Sequence, residues 1–340
     1  MSGIDATARA GAAPHATVVV PSRDRPDLAR RTVRSLLAQQ GCSVHVIVID
    51  DGSKVPLSSV LADLEEQACG RLQVLRERGR GVAAARSVGL EAVRSPWVGF
   101  CDDDDLWAPS KVATQIAVAA REDAEWTVSA AVTVDPRLEV KYLMRAPRPE
   151  RVLHDLLTIN VMPGGASSVL ARTELVRAAG GWDRSLSTLA DWDMWIRLAE
   201  AAPLAVVEEP LTAYMLNGAG MSLDTSLLEH DLGRLVAKRR RGPGQPLVLD
   251  RIRWFDYLSY VNLRAGRRLR AARASMRSFM AGAPPQRLGK AVVSIVDPSI
   301  AVRRFERRQR ARSPWGALQR ADLWIAPYRK GLAEMVDTAT

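Results

Sequence analysis

Cysteine is scarce. Cys42, Cys69 and Cys101 are the only three in 340 residues, and no C-x-x-C pair occurs. That odd, scattered set excludes a disulfide framework and a zinc ribbon and fits a reducing cytoplasm. His15, His45, His154 and His230 show no metal-ligand spacing, so a zinc site is not expected. No stretch approaches the roughly 18 consecutive apolar residues of a membrane span. The first 15 residues carry Asp5 and no continuous apolar core, unlike a cleaved signal peptide. Internal repeats are absent. What is present is ordinary globular material, with 47% hydrophobic and 25% charged residues, enough for a substantial core.

The charge is unevenly placed. Residues 1–237 hold 25 basic and 31 acidic side chains, residues 238–312 hold 20 and 4, and the last 28 hold three of each. The formal net charge of +10 therefore belongs to one block. It opens with Lys238-Arg239-Arg240-Arg241 and the breaker-rich Gly242-Pro243-Gly244-Gln245-Pro246, which marks a boundary near residue 240. Such a block suits an anionic membrane surface or nucleic acid, at roughly 1 kcal/mol per basic residue near anionic lipid. A solvated helical face is the plain alternative.

Residues 16–21 (ATVVVP) and 44–49 (VHVIVI) are short β-branched runs that read as buried strands. Between them Leu28, Val33, Leu36 and Leu37 recur at helical spacing behind Pro26-Asp27. Strands at 72–75 and 97–101 alternate with helices around 57–68 and 82–93. That alternation predicts an α/β architecture, a parallel sheet with right-handed crossovers. Its ligand crevice lies outside the carboxyl ends of the strands. Asp50-Asp51 and Asp102 to Asp105 would share that crevice. Beyond residue 125 the texture is mixed, with helical pieces around 150–158, 173–179 and 191–201, and from 247 onward the tail reads as helical.

The most informative segment is Phe100-Cys101-Asp102-Asp103-Asp104-Asp105-Leu106-Trp107-Ala108-Pro109. Four like charges at one strand end are costly unless a cation offsets them. Oxygen-only ligands favour Mg²⁺ or Mn²⁺. An EF-hand is excluded, because its spaced acids, turn glycine and terminal glutamate are missing.

Val19-Val20-Pro21-Ser22-Arg23-Asp24-Arg25-Pro26, Val48-Ile49-Asp50-Asp51-Gly52-Ser53, Arg80-Gly81-Val82-Ala83-Ala84-Ala85-Arg86-Ser87-Val88-Gly89 and the Asp102 to Pro109 run follow one another in the chain. Together they resemble family 2 glycosyltransferases of the GT-A fold, inverting and non-processive, over about residues 16–222. The resemblance implies a GT-A Rossmann-like mixed sheet flanked by helices and followed by a basic helical C-terminal region. It divides the chain into a flexible N-terminus (1–15), a catalytic domain (16–240, with a nucleotide half at about 16–124 and an acceptor half at about 125–240) and the basic region (241–340).

The resemblance further implies that Pro21, Ser22 and Asp24 contact the nucleotide and that Asp51 binds its base. Arg86 supports the acidic cluster or the nucleotide, and an ordinary ion pair is an equal reading. The D-x-D element falls on Asp102, Asp103 and Asp104. Asp102 lies near ribose and metal, Asp103 belongs with the donor contacts, and Asp104 is the direct ligand of Mn²⁺ or Mg²⁺. Asp105 turns away to cap the helix that begins near Pro109. Gly164-Gly165 marks where the donor sugar approaches the backbone, an ordinary turn being the alternative.

In Leu189-Ala190-Asp191-Trp192-Asp193-Met194-Trp195 the position matching the family's catalytic base is Asp191. Asp193 competes for that role; if Asp191 is the base, Asp193 pairs with Arg197 at i, i+4. Trp192, Asp193 and Trp195 are acceptor candidates, although aromatics at that spacing are more often core. Tyr214-Met215-Leu216-Asn217 departs from the family's Tyr-Arg-x-His-like element, with Met215 and Asn217 in place of arginine and histidine.

The function implied is metal-assisted transfer of a sugar from a nucleoside diphosphate, with UDP the expected carrier, to an acceptor hydroxyl. The expected acceptor is a cell-envelope or lipid-linked glycan, with a specialised metabolite as the competing class. The expected setting is cytoplasmic, with peripheral contact to anionic membrane through residues 238–312. A processive synthase is disfavoured, because spans and a Q-x-x-R-W-like element are missing. A nucleotidyltransferase would need a Gly-rich phosphate loop that Pro21 to Asp24 does not supply. A nucleic-acid binder on an inactive scaffold is the reading of another class; few aromatics interleave with the arginines of the basic block, and no RNP- or KH-like motif appears.

Overall fold

A computed structural model describes residues 15–216 and 223–329 of the chain. In chain order the first half comprises β1 (Ala16–Ser22), α1 (Pro26–Leu37), β2 (Val44–Asp50), α2 (Leu57–Val60), α3 (Ala62–Gln67), β3 (Leu72–Arg76), α4 (Val82–Ala92), β4 (Trp97–Phe100), β5 (Leu106–Trp107) and α5 (Lys111–Arg121). The second comprises β6 (Trp126–Val134), β7 (Val140–Met144), α6 (Val152–Leu156), β8 (Val169–Arg172), α7 (Thr173–Ala178), α8 (Ala190–Ala201) and β9 (Leu204–Met215). Helices α9 (Thr225–Arg241), α10 (Arg251–Arg264), α11 (Arg268–Met280), α12 (Gln286–Val296), α13 (Pro298–Ala311) and α14 (Trp315–Ile325) follow.

The strands form one mixed sheet in the order β3-β2-β1-β4-β8-β6-β9-β5, with β7 paired to β6. Strands β1 to β4 are parallel, and β8 runs antiparallel to β4 and β6. All seven residues of β1 and all nine of β6 are buried. Burial on both faces is why these segments read as continuous apolar runs rather than alternations. Period 2 still sorts them: Val19, Ile47 and Ile49 enter one core with α4 and α8, while Val18, Val20, Val46 and Val48 enter the other with α1. The single helix expected around 57–68 is bent into α2 and α3 at Leu61, which is fully buried between them.

Strand β1 has β2 on one side and β4 on the other, so the strand order reverses at its carboxyl end, where α/β sheets bind ligands. The C-terminal helices pack onto this body. Trp254, Leu258 and Val261 of α10 share a core with Trp192 of α8, and Leu318, Ala321 and Ile325 of α14 pack with Val132 and Val134 of β6.

Helix α4 lies so close to β1 that a Cβ on Gly89 would sit 2.2 Å from Val19 Cγ1. Gly89→Ala is therefore expected to lower the denaturant midpoint, with overpacking of about 1–3 kcal/mol exceeding the gain in helix propensity. Adding Val19→Ala should recover part of that loss in a double-mutant cycle, and strict additivity would contradict the contact.

Candidate active site

The cleft is built where β1, β2 and β4 end. Pro21, Ser22, Arg23, Arg25, Asp51, Arg86 and Asp102 to Asp104 line one cavity of about 1440 Å³ together with Gly164, Gly165, Asp191 and Trp192. The loop after β2 is fixed from below. Asp50 accepts the N–H groups of Ser53 and Leu57 at 2.8 and 3.1 Å, and those bonds, with Arg76, hold its carboxyl below its ordinary range against the opposing cost of burial. Asp51 accepts the N–H groups of Arg80 and Gly81, both at 2.9 Å, which ties the β2 end to the start of α4.

The four consecutive carboxylates have four different fates. Asp102 accepts from Arg86, whose guanidinium also lies over Trp182, 4.6 Å from the ring centroid. Asp103 accepts Ser22 Oγ at 2.6 Å, and Arg25 Nη1 bridges it to Asp104 at 3.1 Å to each. Asp105 is fully buried and accepts the Met215 N–H of β9 at 2.8 Å. The Thr32 hydroxyl of α1 reaches the carbonyls of Asp103 and Asp105 at 2.9 and 2.8 Å, fixing the turn from behind.

Burial and the neighbouring Asp103 and Asp102 push the Asp104 carboxyl up to about 7 despite Arg25. A divalent cation beside Asp102 and Asp104 would relieve that repulsion, so the donor set fits Mg²⁺ or Mn²⁺. Among the described residues no three His, Cys, Asp or Glu side chains converge on one point as a complete ligand set. Two carboxylates from the chain would leave the other positions to water and substrate oxygens, as Mg²⁺ commonly does.

On the opposite wall, Asp191 stands in the first turn of α8. Its Oδ1 accepts the Trp192 N–H at 2.7 Å, and Asn160 Nδ2 lies 3.5 Å from Oδ2. Burial raises its pKa to about 6, opposed by Arg86 and reinforced by the charge of Asp102. Gly164 and Gly165, at φ +65° and +56°, hold the adjoining backbone in the left-handed region, where a side chain would be strained.

Several expectations are corrected. Asp24 does not line the cleft: its Oδ1 accepts the Lys54 N–H at 2.7 Å and its N–H donates to Ser53 Oγ at 2.9 Å, pinning the neighbouring loop. Asp105 caps no helix, because the β9 backbone claims it; α5 begins behind Ser110 without a side-chain cap. Trp195 is no acceptor platform, being 1% exposed and stacked on Trp126 at 6.4 Å. Trp192 edges the cavity but is also buried, donating to the Leu156 carbonyl at 2.7 Å. Asp193 points away from the cavity into Arg197 and Lys238, at 2.7 and 2.9 Å. Two members of the basic run are held within the fold's own ion pairs, the partly exposed Lys238 also pairing with Asp183 and the buried Arg239 with Glu200. Asn217 lies outside the described residues.

Tyr257 was not foreseen. Helix α10 carries it to the cavity wall, where the residue is 38% exposed while local desolvation of the hydroxyl and the charge of Asp191 push its pKa up to about 12. Arg25 was overlooked within its own motif, although an arginine directly before Pro26, at the mouth of α1, was the available signal.

A Rossmann-like mixed sheet with a carboxylate-rich cleft at its switch point and a helical C-terminal region is the GT-A glycosyltransferase architecture. Residues 17–175 match the family described as Glycosyl transferase family 2. The succinoglycan biosynthesis protein ExoW of Rhizobium meliloti is 37% identical over 112 residues, 32% of this chain and 35% of that protein. The match thus spans about a third of the relative's length. Among solved structures, Staphylococcus aureus TarS 1–349 in complex with UDP-GlcNAc superposes with a TM-score of 0.53 at 14% identity, covering 86% of this chain and 92% of that one. The mannosyltransferase PcManGT of Pyrobaculum calidifontis, in complex with GDP-Man and Mn²⁺, gives 0.55 at 15%, covering 94% and 88%.

The two carboxylates of the α8 turn should separate experimentally. Asp193→Ala is expected to cost about 1–3 kcal/mol of stability, because it removes the fully buried carboxylate that Arg197 and the partly exposed Lys238 share, although Lys238 keeps Asp183. Asp191→Asn should leave the denaturation midpoint within about 0.5 kcal/mol, or raise it, since it removes a charge that burial disfavours. Equal losses from both would contradict this division.

Proposed function

We propose that the chain is an inverting glycosyltransferase that moves a sugar from a nucleoside diphosphate, UDP first among the carriers, to an acceptor hydroxyl. The observation that carries this reading is the placement of Asp191 in the same cavity as Asp102 to Asp104, one ionisable carboxylate facing a cluster that needs a cation. The base sits at Asp51 beyond the β2 end, and Pro21 and Ser22 border the nucleotide. Arg86 and Arg25 hold Asp102, Asp103 and Asp104 in place. Asp102 and Asp104 would hold Mn²⁺ or Mg²⁺, which when bound supplies Lewis-acid neutralisation of the leaving diphosphate. Gly164 and Gly165 give the donor sugar close approach to the backbone. Asp191 accepts the proton of the acceptor hydroxyl as that oxygen attacks the anomeric carbon in line, and the bond to the diphosphate breaks.

The charge pattern and the exposed face of the C-terminal helices support a lipid-linked or envelope acceptor reached from the membrane surface. Leu269, Met276 and Met280 of α11 and Leu288, Val292 and Val296 of α12 are exposed, Leu269 by 75% and Val296 by 71%. Arg268, Arg270 and Arg273 stand exposed among them. An apolar ridge rimmed by arginine is complementary to anionic lipid, the apolar groups entering the acyl boundary and the cations meeting headgroups. Among the described residues no helix is long and apolar enough to cross a membrane.

Calorimetric titration with UDP should show Mn²⁺-dependent binding that Asp104→Ala abolishes. Asp191→Asn should retain that binding while turnover falls about 10²- to 10⁴-fold. Because Asp191 works ionised and its pKa is raised to about 6, the rate should climb with pH through about 6 in the wild type. In the variant that limb should vanish. Flotation with vesicles containing anionic lipid should carry the protein, and neutral vesicles should not; Val292→Asp with Val296→Asp should abolish flotation while leaving UDP binding intact. Equal flotation with both vesicle types would sink the membrane reading.

A further inference from the structure

The cavity has two ends of opposite charge. At the donor end Asp51 and Asp102 to Asp104 outnumber Arg23, Arg25 and Arg86. Beyond Asp191 the wall carries Arg145, Arg148, Arg151, Arg253, Arg264 and Arg312, with Asp155 the one further acid. These arginines arrive from separate elements: the segment after β7, helix α10 and the C-terminal end of α13. Tyr142, Tyr260 and Phe305 line the same cavity, with the Tyr260 and Phe305 rings 4.3 Å apart.

Some of these cations have internal work. Arg151 faces Asp155 at 3.5 Å, and Arg145 donates to the Arg312 carbonyl at 3.2 Å. The guanidiniums of Arg148, Arg253 and Arg312 are exposed, and none makes a hydrogen bond or ion pair with a described residue. Three exposed guanidiniums from three elements thus line one cavity with their donors uncommitted to the described residues. A ligand that brings its own negative charge would find these donors available. Guanidinium forks presented from several sides match a tetrahedral group with several anionic oxygens better than a single carboxylate.

We propose that this end of the cavity is the acceptor subsite and that it binds a phosphate or diphosphate group carried by the acceptor, held by Arg148, Arg253 and Arg312 while the accepting hydroxyl faces Asp191. The assignment rests on the glycosyltransferase reading above, and it gives the basic C-terminal helices a direct part in substrate recognition. The donor end takes its diphosphate with a divalent cation, whereas the acceptor end supplies the countercharge from the chain. The two anionic substrates therefore do not compete for one subsite.

The test is calorimetry on the full chain with UDP and Mn²⁺ saturating, titrated with geranyl diphosphate, inorganic pyrophosphate and the neutral octyl glucoside. Both phosphate probes should bind and the glucoside should not. Each of Arg148→Gln, Arg253→Gln and Arg312→Gln should weaken the phosphate probes about 10-fold, with UDP affinity unchanged. Replacement by lysine should restore part of the loss. Tighter binding of geranyl diphosphate than of pyrophosphate would assign the phosphate to a lipid carrier, and equal binding to a soluble phosphorylated acceptor. Binding of the phosphate probes that the three glutamine variants leave untouched would overturn the proposal, as would no binding at all. Should UDP itself fail to bind, the donor reading fails separately. The same titrations without UDP, compared between Asp104→Asn and the arginine variants, would still decide the arginine subsite.

Discussion

Four successive carboxylates at the end of one buried strand are the constraint to which the rest of the cleft answers. Left unmatched in a partly desolvated site, they would repel one another and take up protons instead of ionising. Each is given a different neighbour. Arg86 comes up from α4 to Asp102, Ser22 and Arg25 meet Asp103, Arg25 extends to Asp104, and Asp105 leaves the cleft for the β9 backbone. These partners come from four elements, so the parallel order of β1 and β4 and the crossover through α4 are needed to assemble them. The remaining imbalance falls on Asp104, the carboxylate whose charge is most dependent on a cation from outside the chain.

Much of the nucleotide half was legible because its strands are buried on both faces and therefore appear as uninterrupted β-branched runs. The acidic run after β4 could be placed at a strand end for the same reason. What the sequence could not resolve was direction. Asp191 and Asp193 are two residues apart on one helical turn, and only the positions of Arg197 and Lys238 determine which faces inward to the core and which faces the cavity. Asp24 sits in the segment after β1 that also carries the cleft-lining Ser22 and Arg25, yet a positive φ of 53° turns it toward the Lys54 backbone. The Trp192 to Trp195 spacing was equally consistent with core or platform, and stacking on Trp126 settles Trp195 as core.

The C-terminal block shows how little a charge count says about placement. Members of the basic block of residues 238–312, net +16, take quite different places once the chain is folded. Lys238 and Arg239 are taken up by Asp183, Asp193 and Glu200 within the fold. Arg268, Arg270 and Arg273 rim an exposed apolar ridge. Arg253, Arg264 and Arg312 turn into the cavity. The tail reads as helical from the sequence, but the packing of Trp254, Leu258 and Val261 of α10 against Trp192 of α8 is long-range, and so Tyr257 carried no local signal of its place beside Asp191.

The same contact bears on the chemistry at Asp191. A carboxylate in open solvent would have a pKa near 4 and would be a weak base toward a hydroxyl. Burying it strengthens the base but also favours its neutral form, so the useful range is narrow. Arg86 stabilises the charged form and Asp102 opposes it, and both lie on the side of the cavity that carries the acidic run. The basicity of Asp191 is therefore linked to the state of the acidic run. A cation held by Asp102 would offset the repulsion that Asp191 feels and so favour its ionised form. The ion pair between Arg86 and Asp102 places the two ends of the cleft in electrostatic contact, and this contact requires no change in backbone structure.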